Sequence, residues 1–211
     1  VLPAGAALGF GCGPLVVVPA ASRLRSAADL AGVRVAIPGR LTTANLLLAA
    51  LCPPVLSTVP MHFAAIMPAV ARGEVDAGLV IHESRFTYPE HGLRQLLDLG
   101  VLWEAETGGP LPLGVIAARR DLPGEDHREL GALLASSVRL ARREPQRPRS
   151  FVRAHAQELD DAVCDRHIAL YVNDFTEQLG VVGRHAIEEL LRRGRAAGLL
   201  PPGPSVFLDD A

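Results

Sequence analysis

Lysine is absent. All 21 basic residues of this 211-residue chain are arginines, and 23 acidic residues leave a net charge of −2. That balance excludes the basic footprint of a nucleic-acid-binding protein. The all-arginine set reads as the mark of a GC-rich gene rather than as chemistry. Cysteine is scarce: Cys12, Cys52 and Cys164 stand far apart, with no CxxC pair. A disulfide framework and a cysteine-built zinc site are thereby excluded, and a reducing compartment fits. No apolar run approaches the about 20 residues that span a bilayer. Aromatic residues make up only 4% of the chain. No glycine-rich loop is followed by Lys-Ser or Lys-Thr, so there is no phosphate-binding P-loop.

What is present is a patterned chain long enough for one large domain or two small lobes. Leu15-Val16-Val17-Val18 reads as a strand after a glycine-rich approach, and residues 27–32 as a short helix closed by Gly32. Residues 33–37 form the next predicted strand. Thr43–Leu51 reads as a helix stopped by Cys52-Pro53-Pro54, apolar nearly all round and therefore expected to be buried. Residues 55–59 read as a strand, and a helix follows as far as Arg72, with Gly73 as its stop. Pro68 requires that this helix start near Met67 or kink there. Residues 77–81 are a further strand. The β-α-β-α-β alternation predicts an α/β fold built on a mostly parallel sheet. Pro110-Leu111-Pro112-Leu113-Gly114 reads as a stiff connector into a strand at 115–118. Helices are then predicted at 126–143 (Leu130, Leu133, Leu134, Val138 and Ala141 on one stripe), 160–178 and 183–197. Two strands bracketing a compact α/β unit predict a two-lobed, hinged binding fold. Residues 1–20 and 113–211 would form lobe 1, and 21–112 lobe 2.

Chemistry-bearing residues concentrate at two points. The apolar run of residues 77–81 ends in His82 and Glu83, and an imidazole at a strand's carboxyl end is a candidate general base. The competing reading is a histidine satisfied by a backbone carbonyl. Glu83 caps the next turn or orients the imidazole; position 86 is Phe, which excludes a His-Glu-x-x-His metal motif. Gly39-Arg40-Leu41-Thr42-Thr43-Ala44 reads as a loop opening a helix. Its free amides and two hydroxyls suit a carboxylate or phosphate, unless one Thr merely caps the helix. Gly9, Gly11 and Gly13 lack dinucleotide-fingerprint spacing, and His62, His155, His167 and His185 show no paired ligand spacing.

Three runs, residues 39–44, Gly73-Glu74-Val75-Asp76-Ala77-Gly78 and Ile81-His82-Glu83-Ser84-Arg85-Phe86-Thr87-Tyr88, resemble the 1,4-dihydroxy-6-naphthoate synthases of the futalosine route to menaquinone. So do Asp98-Leu99-Gly100, Pro110-Leu111-Pro112-Leu113-Gly114, Ala118-Arg119-Arg120-Asp121-Leu122 and Tyr171-Val172-Asn173, in order along nearly the whole chain. The resemblance implies a type II periplasmic-binding-protein fold. It also implies a cytoplasmic lyase that acts on cyclic dehypoxanthinyl futalosine without metal or organic cofactor. His82 would be the base, with Gly39, Thr42, Thr43 and Ala44 contacting acidic groups of a small carboxylate substrate. No nucleic-acid or membrane partner is implied. Members of that family begin with a further α/β segment of about 60 residues. This chain begins at Val1, so the first lobe is expected to be incomplete at its N-terminus. The alternatives are a solute-binding protein for an organic anion, and the sibling enzyme that dehydrates chorismate.

Overall fold

The structure is a computed structural model that describes residues 1–55, 57–82, 84–156 and 160–207. Strands β1 (Ala7–Gly9) and β2 (Leu15–Pro19) open the chain, followed by a single 3-10 turn at Ala27–Leu30 and β3 (Arg34–Ile37). Helix α1 (Thr43–Leu51), β4 (Ser57–Pro60), α2 (Phe63–Ala71) and β5 (Ala77–Val80) continue the predicted alternation. Then come α3 (Ser84–Thr87), a 3-10 turn at Tyr88–His91, β6 (Leu93–Asp98), α4 (Leu99–Thr107) and β7 (Leu111–Gly114). Five helices finish the chain: α5 (Gly124–Arg143), α6 (Arg149–His155), α7 (Asp161–Tyr171), α8 (Asp174–Glu177) and α9 (Gly180–Ala196).

The chain folds into two compact units. One comprises Gly11–Gly108 with Ala196–Leu199; the other comprises Val1–Phe10, Gly109–Arg195 and the segment beginning at Leu200. The first is built on a five-stranded sheet of order β4-β3-β5-β2-β6. β3 runs parallel to β4 and β5, but β2 runs antiparallel to both β5 and β6. The sheet is therefore mixed, not mostly parallel. Val16, Val17 and Val18 are all fully buried, as a strand covered on both faces must be. The run that sequence pattern set outside the α/β unit thus lies inside its sheet.

Helix α1 has the predicted ends. Thr42 caps it, and the chain leaves at Cys52 ahead of two prolines. Its burial is partial: Ala44, Leu47 and Leu48 are buried while Ala49 is exposed. Helix α2 starts at Phe63 and runs through Pro68. The carbonyl that Pro68 cannot serve belongs to Ala64, an exposed residue, so the proline falls where the loss of a helix bond is least costly. α2 lies directly on β5. A Cβ on Gly78 would sit 2.6 Å from Ile66 Cγ2 and 2.7 Å from Val70 Cγ2, so the missing side chain sets the approach of helix to sheet. Ile66, Met67 and Val70 join Leu15, Val17, Ala36 and Val80 in the core there.

In the second unit β1 pairs antiparallel with β7, and Ala6, Leu8, Leu179, Ala186, Ile187 and Phe207 form its core. The strand expected at 115–118 is instead Leu111–Gly114. A two-stranded ribbon is all edge, and edges tolerate the proline at 112. The helix expected at 160–178 breaks after Tyr171. Asn173 caps a new helix there, accepting from Phe175 N at 3.0 Å and donating to Leu8 O at 2.8 Å. On α5 the expected apolar stripe is half-buried at Leu134, Val138 and Ala141 and open at Leu130 and Leu133, and the buried residue is Gly131 against Pro3.

Candidate active site

The direction of the strands gathers the candidate residues. β4, β3 and β5 are parallel, and β6, antiparallel to β2, runs the same way. One edge of the sheet therefore collects the segments that follow Pro60, Ile37, Val80 and Asp98, together with the segment that enters β2 at Leu15. Neighbouring strands lie about 4.8 Å apart. His82 and the loop of residues 39–44 leave adjacent strands, β5 and β3, at this edge. The two predicted site segments are thus brought side by side.

The loop after β3 is closed by its own hydrogen bonds. Thr42, in extended conformation, accepts from Asn45 N at 3.2 Å through Oγ1 and donates the same hydroxyl to Gly39 O at 2.8 Å. Asn45 Nδ2 donates to Arg40 O at 3.0 Å. Gly39 has φ +149°, where a side chain would also press on Thr42 Cγ2 at 3.2 Å. The Thr42 hydroxyl is therefore engaged in shaping the cradle. The amides of Thr43 and Ala44 open α1, at the positive end of the helix dipole. Leu41, at the tip of the loop, is fully exposed.

His82 stands just beyond β5 with φ +57°, the one positive φ outside glycine among the described residues. The carbonyl of His82 accepts from Arg85 N at 3.2 Å. The imidazole is exposed and lies 5.4 Å, centroid to centroid, from the Phe63 ring at 69°. His62, beside Phe63, caps α2 through Nδ1 to Ala64 N at 3.3 Å. Glu83 lies outside the described residues.

Behind His82 sits an ion pair that sequence pattern alone did not flag. Arg85 donates to Asp98 Oδ2 at 2.6 Å, to Gly13 O at 2.9 Å and to Gly11 O at 3.2 Å. Its side chain is 14% exposed and that of Asp98 11%. The other oxygen of Asp98 caps α4 through the amides of Gly100 and Val101. Gly100 packs on the Cys12 carbonyl so closely that a Cβ would lie 1.8 Å from its oxygen. Burial pushes the Cys12 thiol up to about 11 against the opposing pull of Arg85, which favours the protonated thiol at neutral pH. The runs Ser84-Arg85 and Asp98-Leu99-Gly100, noted in the sequence only for resemblance, are the parts of this clasp. Phe63 had no sequence signal, since it opens a helix whose start Pro68 obscured.

With that edge in view, the relatives are informative. Residues 1–196 match the family pattern for menaquinone biosynthesis. The chain belongs to the menaquinone biosynthesis family. The 1,4-dihydroxy-6-naphthoate synthase of Streptomyces coelicolor is 50% identical over 212 residues, covering 98% of this chain and 73% of that protein. Its Thermus thermophilus namesake is 48% identical over 203 residues, covering 96% of this chain and 72% of that protein. The resemblance drawn from the short runs is borne out across the chain. Among solved structures, protein AF1704 of Archaeoglobus fulgidus superposes with a TM-score of 0.85 at 38% identity, covering 95% of this chain and 73% of that one. The alkanesulfonate-binding protein SsuA of Xanthomonas axonopodis pv. citri gives 0.66 at 22% identity, with 95% and 70% covered. This family member thus has the periplasmic-binding-protein type of α/β fold. Among its described residues no helix is long and apolar enough to cross a membrane. No group of three His, Cys, Asp or Glu side chains among them is placed to hold a metal ion.

Proposed function

We propose that the chain is a 1,4-dihydroxy-6-naphthoate synthase whose chemistry occurs at the edge formed by the carboxyl ends of β3 and β5. The observation that carries this reading is the emergence of His82 and the α1 cradle from adjacent parallel strands, in a chain half identical to enzymes of that name. The carboxylate of cyclic dehypoxanthinyl futalosine docks on the Thr43 and Ala44 amides, in a loop held by Gly39 and Thr42. His82 removes the proton next to the sugar-bearing carbon. The pair from the C–H bond becomes a ring C=C bond, the bond to the sugar fragment breaks with its pair leaving on that fragment, the His82 imidazolium returns the proton to it, and aromatisation of the new ring drives the step. The base and the carboxylate cradle suffice for this sequence, so the reading calls for no metal or organic cofactor, and it sets the reaction in the cytoplasm on a diffusible carboxylate.

The solute-binding alternative is supported only by folds at 22% identity and below, such as SsuA, and the site gives it no separate support. The test is His82→Asn, chosen because asparagine tolerates the left-handed backbone. Turnover of the cyclic substrate is expected to fall by about 10²–10⁴-fold with unchanged circular dichroism. A folded variant with wild-type turnover would remove His82 from the mechanism.

A further inference from the structure

We infer that Phe63 is a positioning residue for His82, an inference that rests on His82 being the base. An exposed imidazole on a short loop has several rotamers, and only those aimed at the substrate proton are productive. A small misplacement of a reacting group costs much of its rate advantage. Phe63 supplies one restraint. It is anchored at the first position of α2 and packs on the core beneath the sheet. Its ring meets the imidazole at 5.4 Å and 69°, within the range of edge-to-face aromatic contacts. The left-handed backbone at His82 (φ +57°) directs the imidazole from one end, and the Phe63 ring limits it from the other. The two rings come from non-adjacent strands, β4 and β5, on either side of the β3 loop that forms the carboxylate cradle.

Phe63→Leu nearly conserves volume and removes the ring. It is expected to lower kcat about 10-fold with KM within twofold. Phe63→Tyr, which keeps the ring, restores most of that loss. In the His82→Asn background, Phe63→Leu is expected to cause no further loss, because two residues acting as one unit are non-additive. A readout independent of turnover is the NMR shift of the His82 ring protons, which carries the ring current of Phe63. It is expected to move in Phe63→Leu and to persist in Phe63→Tyr. Wild-type kcat in Phe63→Leu beside an inactive His82→Asn would overturn the inference, as would an equal loss in both backgrounds or ring-proton shifts untouched by Phe63→Leu. An active His82→Asn would instead overturn the base, and the ring-proton shifts would still report whether Phe63 holds the imidazole.

Discussion

Arg85 lies three positions after the candidate base. Its guanidinium spans Gly11, Gly13 and Asp98, so one side chain ties the loop after β5 to the entry of β2 and the end of β6. The planar fork suits this task in a way that an ammonium would not. Arg85→Ala leaves the Asp98 carboxylate without its cation in a site that is 11% exposed. We expect a loss of about 3 kcal/mol, at the low end for a broken buried pair, measured by denaturant unfolding. Turnover should fall with it, since the freed loop carries His82. Unchanged stability would mean that water replaces the guanidinium at no cost. Residues such as Arg85 and Phe63 escape a sequence reading for a simple reason. Their partners lie on other strands, and neither periodicity nor spacing encodes which strand end meets which.

At the scale of elements, legibility followed the strength of local punctuation. Thr43–Leu51 was readable to the residue because an N-capping threonine and a Cys-Pro-Pro stop both act locally. The strand at Leu111–Gly114 was displaced by its own proline, which looks like a connector until the ribbon's edge is known. The direction of β2 could not be read at all, because a buried run of valines is equally good in a parallel or an antiparallel pairing. Helix α4 shows how a single missing side chain seats an element. Leu99 N donates to Pro14 O at 3.1 Å, which draws the start of the helix onto the segment before β2. Gly100→Ala would drive its methyl into the Cys12 carbonyl. The expected result is a destabilisation of about 1–3 kcal/mol, seen as a lower melting temperature. Melting with the wild type would show that the carbonyl can yield.

For the molecule as a whole, charge is arranged in arginine–carboxylate pairs rather than as a field of one sign, in keeping with the net −2. One of these pairings sets an acid limit. Hydrogen bonds from Arg192 and Arg193 on α9 lower the Glu189 carboxyl from 4.5 to about 2. A depressed carboxylate stabilises the fold fully above its unfolded value, and that contribution is lost as pH falls from about 4.5 through about 2. Glu189→Gln should therefore flatten the unfolding-free-energy profile across that window and leave its shape above pH 5 unchanged. A wild-type slope in the variant would assign the acid limit to other carboxylates. The α/β class was within reach of the sequence, and so were the two segments, residues 39–44 and His82, that follow β3 and β5. Their common edge was not, since it depends on strand order.

That edge also acts as a ruler. On the roles proposed above, side-by-side strands set the interval between the β3 loop and His82 after β5 at one strand spacing plus the reach of two short loops, on the order of 5–10 Å. A flat apolar frame that holds a carboxylate and a hydrogen-bond donor rigidly at that interval is then expected to compete with the substrate, raising KM at unchanged kcat.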